Sequence, residues 1–123
     1  MEKIYYQNID ETLYYEKLPN GLSVYLLPKK GFRKFYATFT TKYGSIDNTF
    51  IPIGKKEYTT VPDGIAHFLE HKMFEGEDGD AFDKFSQYAA NSNAFTSFNR
   101  TAYLFSCTSH FSENLNLLLD FVQ

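Results

Sequence analysis

Five consecutive residues, His67-Phe68-Leu69-Glu70-His71, constrain this chain more than any others. Residues four apart on an α-helix lie one above the other, so a helix here brings both imidazoles to one side, with Glu70 beside them. The flanking residues ask for that helix. Ile65, Phe68, Leu69 and Met73 recur at helical spacing, which predicts an apolar stripe that packs while the histidine face stays open. Pro62 and Asp63 are helix-start residues, with Asp63 placed to cap free amides. The acidic run from Glu75 to Asp80, with Gly76 and Gly79, ends the segment.

The pattern H-x-x-E-H carries a specific chemistry. Zinc accepts neutral imidazoles, and a catalytic zinc keeps one position open for water, whose proton needs a nearby carboxylate. His67 and His71 are therefore candidate ligands for Zn2+, and Glu70 is the candidate general base. The competing explanation is a solvated helix, or a pair of core histidines, with no metal at all. The length of the motif and the helical pattern around it favour the site.

Composition excludes several alternatives. The 123 residues carry a net charge of −3, and no Lys/Arg run exceeds a pair such as Lys29-Lys30 or Lys55-Lys56, so nucleic acid is not an expected partner. No stretch of eighteen apolar residues predicts a membrane span, and Met1 to Asp10 lacks the basic and apolar regions of a leader. The single Cys107 has no partner for an internal disulfide and suits a reducing, cytoplasmic setting. Its surroundings, Tyr103-Leu104-Phe105-Ser106-Cys107, read as strand, and no basic neighbour in sequence activates the thiol. Aromatics, at 19%, favour a strand-rich, Phe-packed core.

The first half of the chain alternates as strands do. Thr12 to Leu18 and Leu22 to Pro28 flank Pro19-Asn20-Gly21, a turn signal that predicts an antiparallel hairpin. Lys34 to Tyr43 alternates next, and the three strands are expected side by side in one sheet. Ser45 to Val61 reads as a loop or small hairpin leading into the motif helix. A second helix is expected from Asp80, with Phe82, Phe85 and Ala89 at helical spacing and Asn91 near its end. Two further strands, Asn93 to Phe98 and Thr101 to Ser109, precede a last helix carrying Leu115, Leu118, Leu119 and Val122 on one face. That pattern reaches Gln123 without a cap or breaker. The expectation is one domain, residues 1–123, forming the front portion of a longer one.

The order of these blocks resembles a known family. Gly44-Ser45, the run from Gly64 through His67, Glu70 and His71 to Gly76, Asn93-Ala94-Phe95-Thr96-Ser97 and Thr101-Ala102-Tyr103 are similar to the insulinase or pitrilysin zinc peptidases. The likeness is greatest to bacterial members related to mitochondrial processing peptidases. It implies an α+β fold, an antiparallel sheet with helices on one face, as the N-terminal part of an α/β-roll metallopeptidase domain. It implies zinc on His67 and His71, water activation by Glu70, and an edge strand at Asn93 and Ala94 whose backbone takes up the substrate as an added strand. Thr101 and Tyr103 transfer only as fold residues. The stretch from Asp47 to Thr60 is longer than the usual loop of such proteins.

A catalytic zinc wants three protein ligands. In the family the third is a Glu far beyond the motif, which would fall past Gln123. Of the downstream residues here, His110, Glu113 and Asp120 are the remaining candidates. The expected function is therefore zinc-dependent hydrolysis of extended peptides or small proteins by the parent protein, with an incomplete site in these residues alone. A homologous second half or a paired subunit is the expected partner. The alternative is a non-catalytic peptide-binding or partner subunit of a peptidase heterodimer.

Overall fold

The computed structural model describes residues 1–76 and 79–123 and divides them into two units, 1–32 and 33–123. In the first unit β1 (Glu2–Tyr6), β2 (Glu11–Lys17) and β3 (Ser23–Leu26) form an antiparallel sheet in that order. Asp10, at φ 51°, turns the chain between β1 and β2. The predicted hairpin is present. Leu18 N–H donates to the Leu22 carbonyl at 2.8 Å, and Asn20 Oδ1 accepts from Leu22 N–H at 3.1 Å. Gly21, at φ +90°, supplies the left-handed residue that such a turn requires.

The second unit is built on a three-stranded antiparallel sheet. Its strands are β4 (Phe35–Thr41), β9 (Ala90–Thr96) and β10 (Thr101–Cys107), ordered β4-β10-β9. The expectation that β4 continues the first hairpin's sheet is therefore wrong. The alternation of β4 was visible, but its partner lies some sixty residues onward in β10, with Phe39 opposite Tyr103 and Ala37 opposite Phe105. Alternation fixes which face is buried, not which strand lies alongside.

Between β4 and β9 come the two-residue strands β5 (Thr49–Phe50) and β6 (Thr59–Thr60), which form the small expected hairpin. Helix α1 (Ile65–Phe74) follows, then β7 (Glu75–Gly76), β8 (Gly79–Asp80) and helix α2 (Ala81–Gln87); α3 (Phe111–Phe121) closes the unit. Glu77 and Asp78, in the acidic run expected to end α1, lie outside the described residues. Helix α2 stops four residues before Asn91. Ala89 takes φ 52°, and β9 begins at Ala90, so Asn91 is a strand residue.

All three helices pack on one sheet face. Phe74 from α1, Phe85 from α2 and Leu118 from α3 meet Tyr103, Phe105 and Cys107 of β10, with Ala37, Phe39 and Ala94 at the margins. This is the α+β architecture expected, with antiparallel pairing throughout. Asn114, fully buried in α3, ties the helices together: its Nδ2 donates to the Tyr88 carbonyl at 3.2 Å and to the His110 carbonyl at 2.9 Å. No helix among the described residues is long and apolar enough to cross a membrane.

The segment after β4 clamps onto the β9–β10 turn. Ser45 N–H donates to the Ser97 carbonyl at 2.9 Å and Ile46 N–H to the Phe98 carbonyl at 3.0 Å. A Cβ at Gly44 would fall 2.5 Å from Arg100 N and from Phe98 C and O. Since these are backbone atoms, relief requires the turn itself to move. Gly44→Ala is expected to cost about 1–3 kcal/mol, measured as a fall in the urea midpoint at unchanged slope; an unchanged midpoint would show that the turn yields freely.

Candidate metal and peptide site

Helix α1 does not sit on the sheet as its apolar residues suggest. Its buried positions are Ala66, Glu70 and Phe74, while Phe68, Leu69 and Met73 are 54%, 45% and 36% exposed. The predicted packing stripe is thus the outer face, and the face bearing the glutamate is the inner one. Small Ala66 permits close approach, Phe74 enters the aromatic core, and Glu70 finds a hydrogen-bond donor on β9. Counting apolar residues failed here because a polar side chain with a partner can be buried at modest cost. Asp63 also departs from expectation. It accepts from Asn48 Nδ2 at 3.0 Å and does not cap the helix, whose N-cap is Gly64 at φ 84°.

The rotation of α1 aims its functional groups at β9. His67 and His71, both exposed, lie with their Nε2 atoms 2.9 Å apart. Zinc–nitrogen bonds of about 2.0–2.1 Å let one ion reach two nitrogens held so close, with a slight opening of the pair. At that distance the rings make a hydrogen bond whose direction follows their tautomers, and the same two nitrogens, turned toward one point, form a donor set that suits zinc. Glu70 is only 7% exposed, and its Oε2 accepts from the Thr96 hydroxyl at 2.7 Å.

A cleft of about 570 Å³ gathers these residues. One wall is α1, through His67, Glu70, His71 and Phe74; the other is β9, from Asn93 through Ala94 and Phe95 to Thr96. All five residues singled out in the sequence, Glu70, His67, His71, Asn93 and Ala94, therefore line one space. Strand β9 is an edge of its sheet. Ser97 and Arg100 form a hydrogen-bonded pair at the β9–β10 turn. By the alternation of antiparallel ladders, Ser92, Ala94 and Thr96 direct their main-chain groups away from β10. The side chain of Asn93 closes part of this edge, its Oδ1 accepting from Ala94 N–H at 2.9 Å.

No third ligand joins the pair among the described residues. Among the described residues no group of three His, Cys, Asp or Glu side chains is placed to hold a metal. His110 Nδ1 lies 3.6 Å from Glu113 Oε1 at the start of α3, and Asp120 is exposed on that helix. Glu75 lines the cleft but pairs with Lys72, which holds its carboxyl below the usual carboxylate range. Cys107 is buried among the core residues, and that burial pushes its thiol up, as suits a strand residue and not a nucleophile.

Thr96 is the residue that sequence reasoning passed over. It stands in Asn93-Ala94-Phe95-Thr96-Ser97, where the two-residue strand period puts it on the same face as Ala94, toward α1. Thr101, expected as a fold residue, is 3% exposed, and its hydroxyl donates to the Tyr43 carbonyl at 2.8 Å. Phe82 and Phe95 complete the cleft as apolar walls.

Comparison with known proteins identifies the family. The profile of the insulinase family (peptidase family M16) matches residues 48–123. The uncharacterized zinc protease YmfH of Bacillus subtilis (strain 168) is 65% identical over all 123 residues, and AlbF of the same organism, provisionally named a zinc protease, is 26% identical over 128 aligned positions. A crystal structure of an M16-like peptidase from Alicyclobacillus acidocaldarius superposes with a TM-score of 0.83 at 44% identity, covering 92% of this chain. The chain spans 29% and 28% of the two curated relatives and 26% of the solved chain. An antiparallel α+β unit with a helix-borne His-x-x-Glu-His beside an edge strand defines the class, and the chain belongs to the insulinase family, peptidase family M16.

Tyr103 reports on the interior next to the site. Burial, and then the nearby Glu70 carboxylate, push its phenol above the ordinary tyrosine value. The neutral phenol is thus favoured in the folded chain. Its contribution to stability is complete below pH ~10, the unfolded value, and is lost as pH rises through the higher folded value. Wild type should therefore lose stability relative to Tyr103→Phe in that alkaline window, followed by urea unfolding at stepped pH; a difference constant with pH would mean that the phenol titrates normally.

Proposed function

We propose that the protein containing these residues is a zinc-dependent peptidase that hydrolyses extended peptides or small proteins. One observation carries the reading: His67, Glu70 and His71 share a cleft with the free edge of β9. In this reading His67 and His71 hold the metal through Nε2. A third protein ligand comes from sequence outside these residues, so the stretch by itself is inactive. When bound, zinc supplies the Lewis acidity that polarises a peptide carbonyl and acidifies water.

The chain's own residues do the rest. A peptide pairs with β9 as an added strand, held by main-chain groups at Ala94, while Asn93 swings from the Ala94 N–H to make room. Glu70 Oε2 is engaged by Thr96, which leaves Oε1 to take the proton of the attacking water and later to deliver it to the departing amine. Burial of Glu70 keeps bulk water from competing at that oxygen. The 123 residues serve as the N-terminal part of the metallopeptidase domain, and a homologous second half or paired subunit completes the chamber. A cytoplasmic location belongs to the same reading, supported by the free, buried Cys107.

Glu70→Gln in the full-length protein is expected to lower peptide turnover by about 10²–10⁴-fold, the usual worth of a general base, while zinc content by metal analysis stays at one per site. His67→Ala should lose the zinc as well. Turnover that survives Glu70→Gln would overturn the mechanism, a wild-type protein without turnover would favour a non-catalytic partner subunit, and metal retained by His67→Ala would remove the ligand assignment.

A further inference from the structure

The Glu70 carboxylate sits at the end of a flexible side chain, and a general base works only if it points at its proton. Helix α1 fixes where the side chain starts but not which way its oxygens face. Strand β9 supplies that second constraint. The Thr96 hydroxyl donates to Glu70 Oε2 at 2.7 Å, within the range of a strong, charge-assisted O–H···O⁻ bond. Threonine is β-branched and stiff at χ1, so its hydroxyl is delivered in a set direction.

Thr101 makes the donation one-way. Its own hydrogen is committed to the Tyr43 carbonyl at 2.8 Å, so toward Thr96, 3.4 Å distant, it offers only a lone pair. A carbonyl cannot return a hydrogen. The Thr96 hydrogen therefore has the carboxylate as its nearest acceptor, 2.7 Å against 3.4 Å. Thr101 is 3% exposed, so water does not compete for that commitment.

Position in the sheet gives the contact a second consequence. Thr96 stands opposite Thr101, next to the hydrogen-bonded Ser97–Arg100 pair, so its own N–H and carbonyl point off the free edge of β9. The same residue thus faces the base with its side chain and the edge with its backbone. We propose that Thr96 is the positioning residue of the base, and that it sets the direction of the Glu70 carboxylate relative to a peptide paired with β9. This rests on the peptidase reading for its catalytic consequence, though not for the contact itself.

The test uses Thr96→Val, which keeps the shape of the side chain and deletes the hydroxyl, and Thr96→Ser, which keeps the hydroxyl. Both are made in the full-length protein. With zinc bound and a fluorogenic peptide as substrate, Thr96→Val should lower kcat about tenfold or more, as expected for a misdirected catalytic group, with KM changed less than about twofold. Thr96→Ser should recover most of kcat.

The second readout needs neither metal nor turnover. In metal-free protein carrying ¹³C-labelled glutamate, the Glu70 carboxyl resonance, assigned by its disappearance in Glu70→Gln, should shift in Thr96→Val and stay near the wild-type position in Thr96→Ser. Thr96→Ala is read in the same way should the valine variant not fold. An unmoved resonance, a kcat within twofold of wild type, a rise in KM alone, or a serine variant as poor as valine would each overturn the proposal. Failure of the peptidase reading looks different: the wild-type protein would then show no peptide turnover, while the carboxyl shift in Thr96→Val would still be present.

Discussion

A carboxylate taken out of water must find a donor, and the seating of Glu70 against Thr96 is the contact on which the second unit's geometry turns. It decides which face of α1 meets the sheet. With Glu70 inward, Ala66 and Phe74 follow at one-turn intervals, and His67 and His71 are left at the rim of the cleft with their rings open to a ligand. Had the apolar stripe of Phe68, Leu69 and Met73 been buried instead, the glutamate would have faced solvent, and the cleft would have lacked its polar floor.

The sheet supplies the other half of that constraint. Strand β10 is its centre, and its buried Tyr103, Phe105 and Cys107 hold all three helices on one face. Strand β9 is consequently paired on one side only, which leaves an edge beside the histidines. Unpaired edges are a hazard for aggregation, and the Asn93 side chain bonded to Ala94 N–H covers one of the exposed donors. Gly44 matters at a distance for the same reason. By letting the segment after β4 approach the β9–β10 turn, it holds the turn that joins Thr96 of β9 to Thr101 of β10.

Much of this was legible in the residues. The Asn20-Gly21 turn, the β9 and β10 strands and the helix at residues 65–74 are local matters, written in spacing and turn chemistry. The nearness of His67 and His71 was legible because four-residue spacing converts directly into a shared face. What the spacing could not convey was partnership across the chain. β4 pairs with β10, not with the hairpin before it, since alternation is silent about neighbours. α1 buries its glutamate because Thr96, twenty-six positions onward, is waiting for it. Nothing within the helix itself reveals that donor, so the apolar stripe looked like the obvious inner face. The family resemblance pointed to Asn93 and Ala94, which line the same cleft, but Thr96 in the same block was passed over because strand alternation was not carried through to it.

The most direct measurement is a zinc titration of the full-length protein, followed by the imidazole ¹⁵N resonances of His67 and His71. Both Nε2 signals should shift together and saturate at one zinc per chain, with His110 unmoved. Saturation that leaves either His67 or His71 at its metal-free position would contradict a metal held between them, and with it the assignment of Glu70 as the base beside that metal.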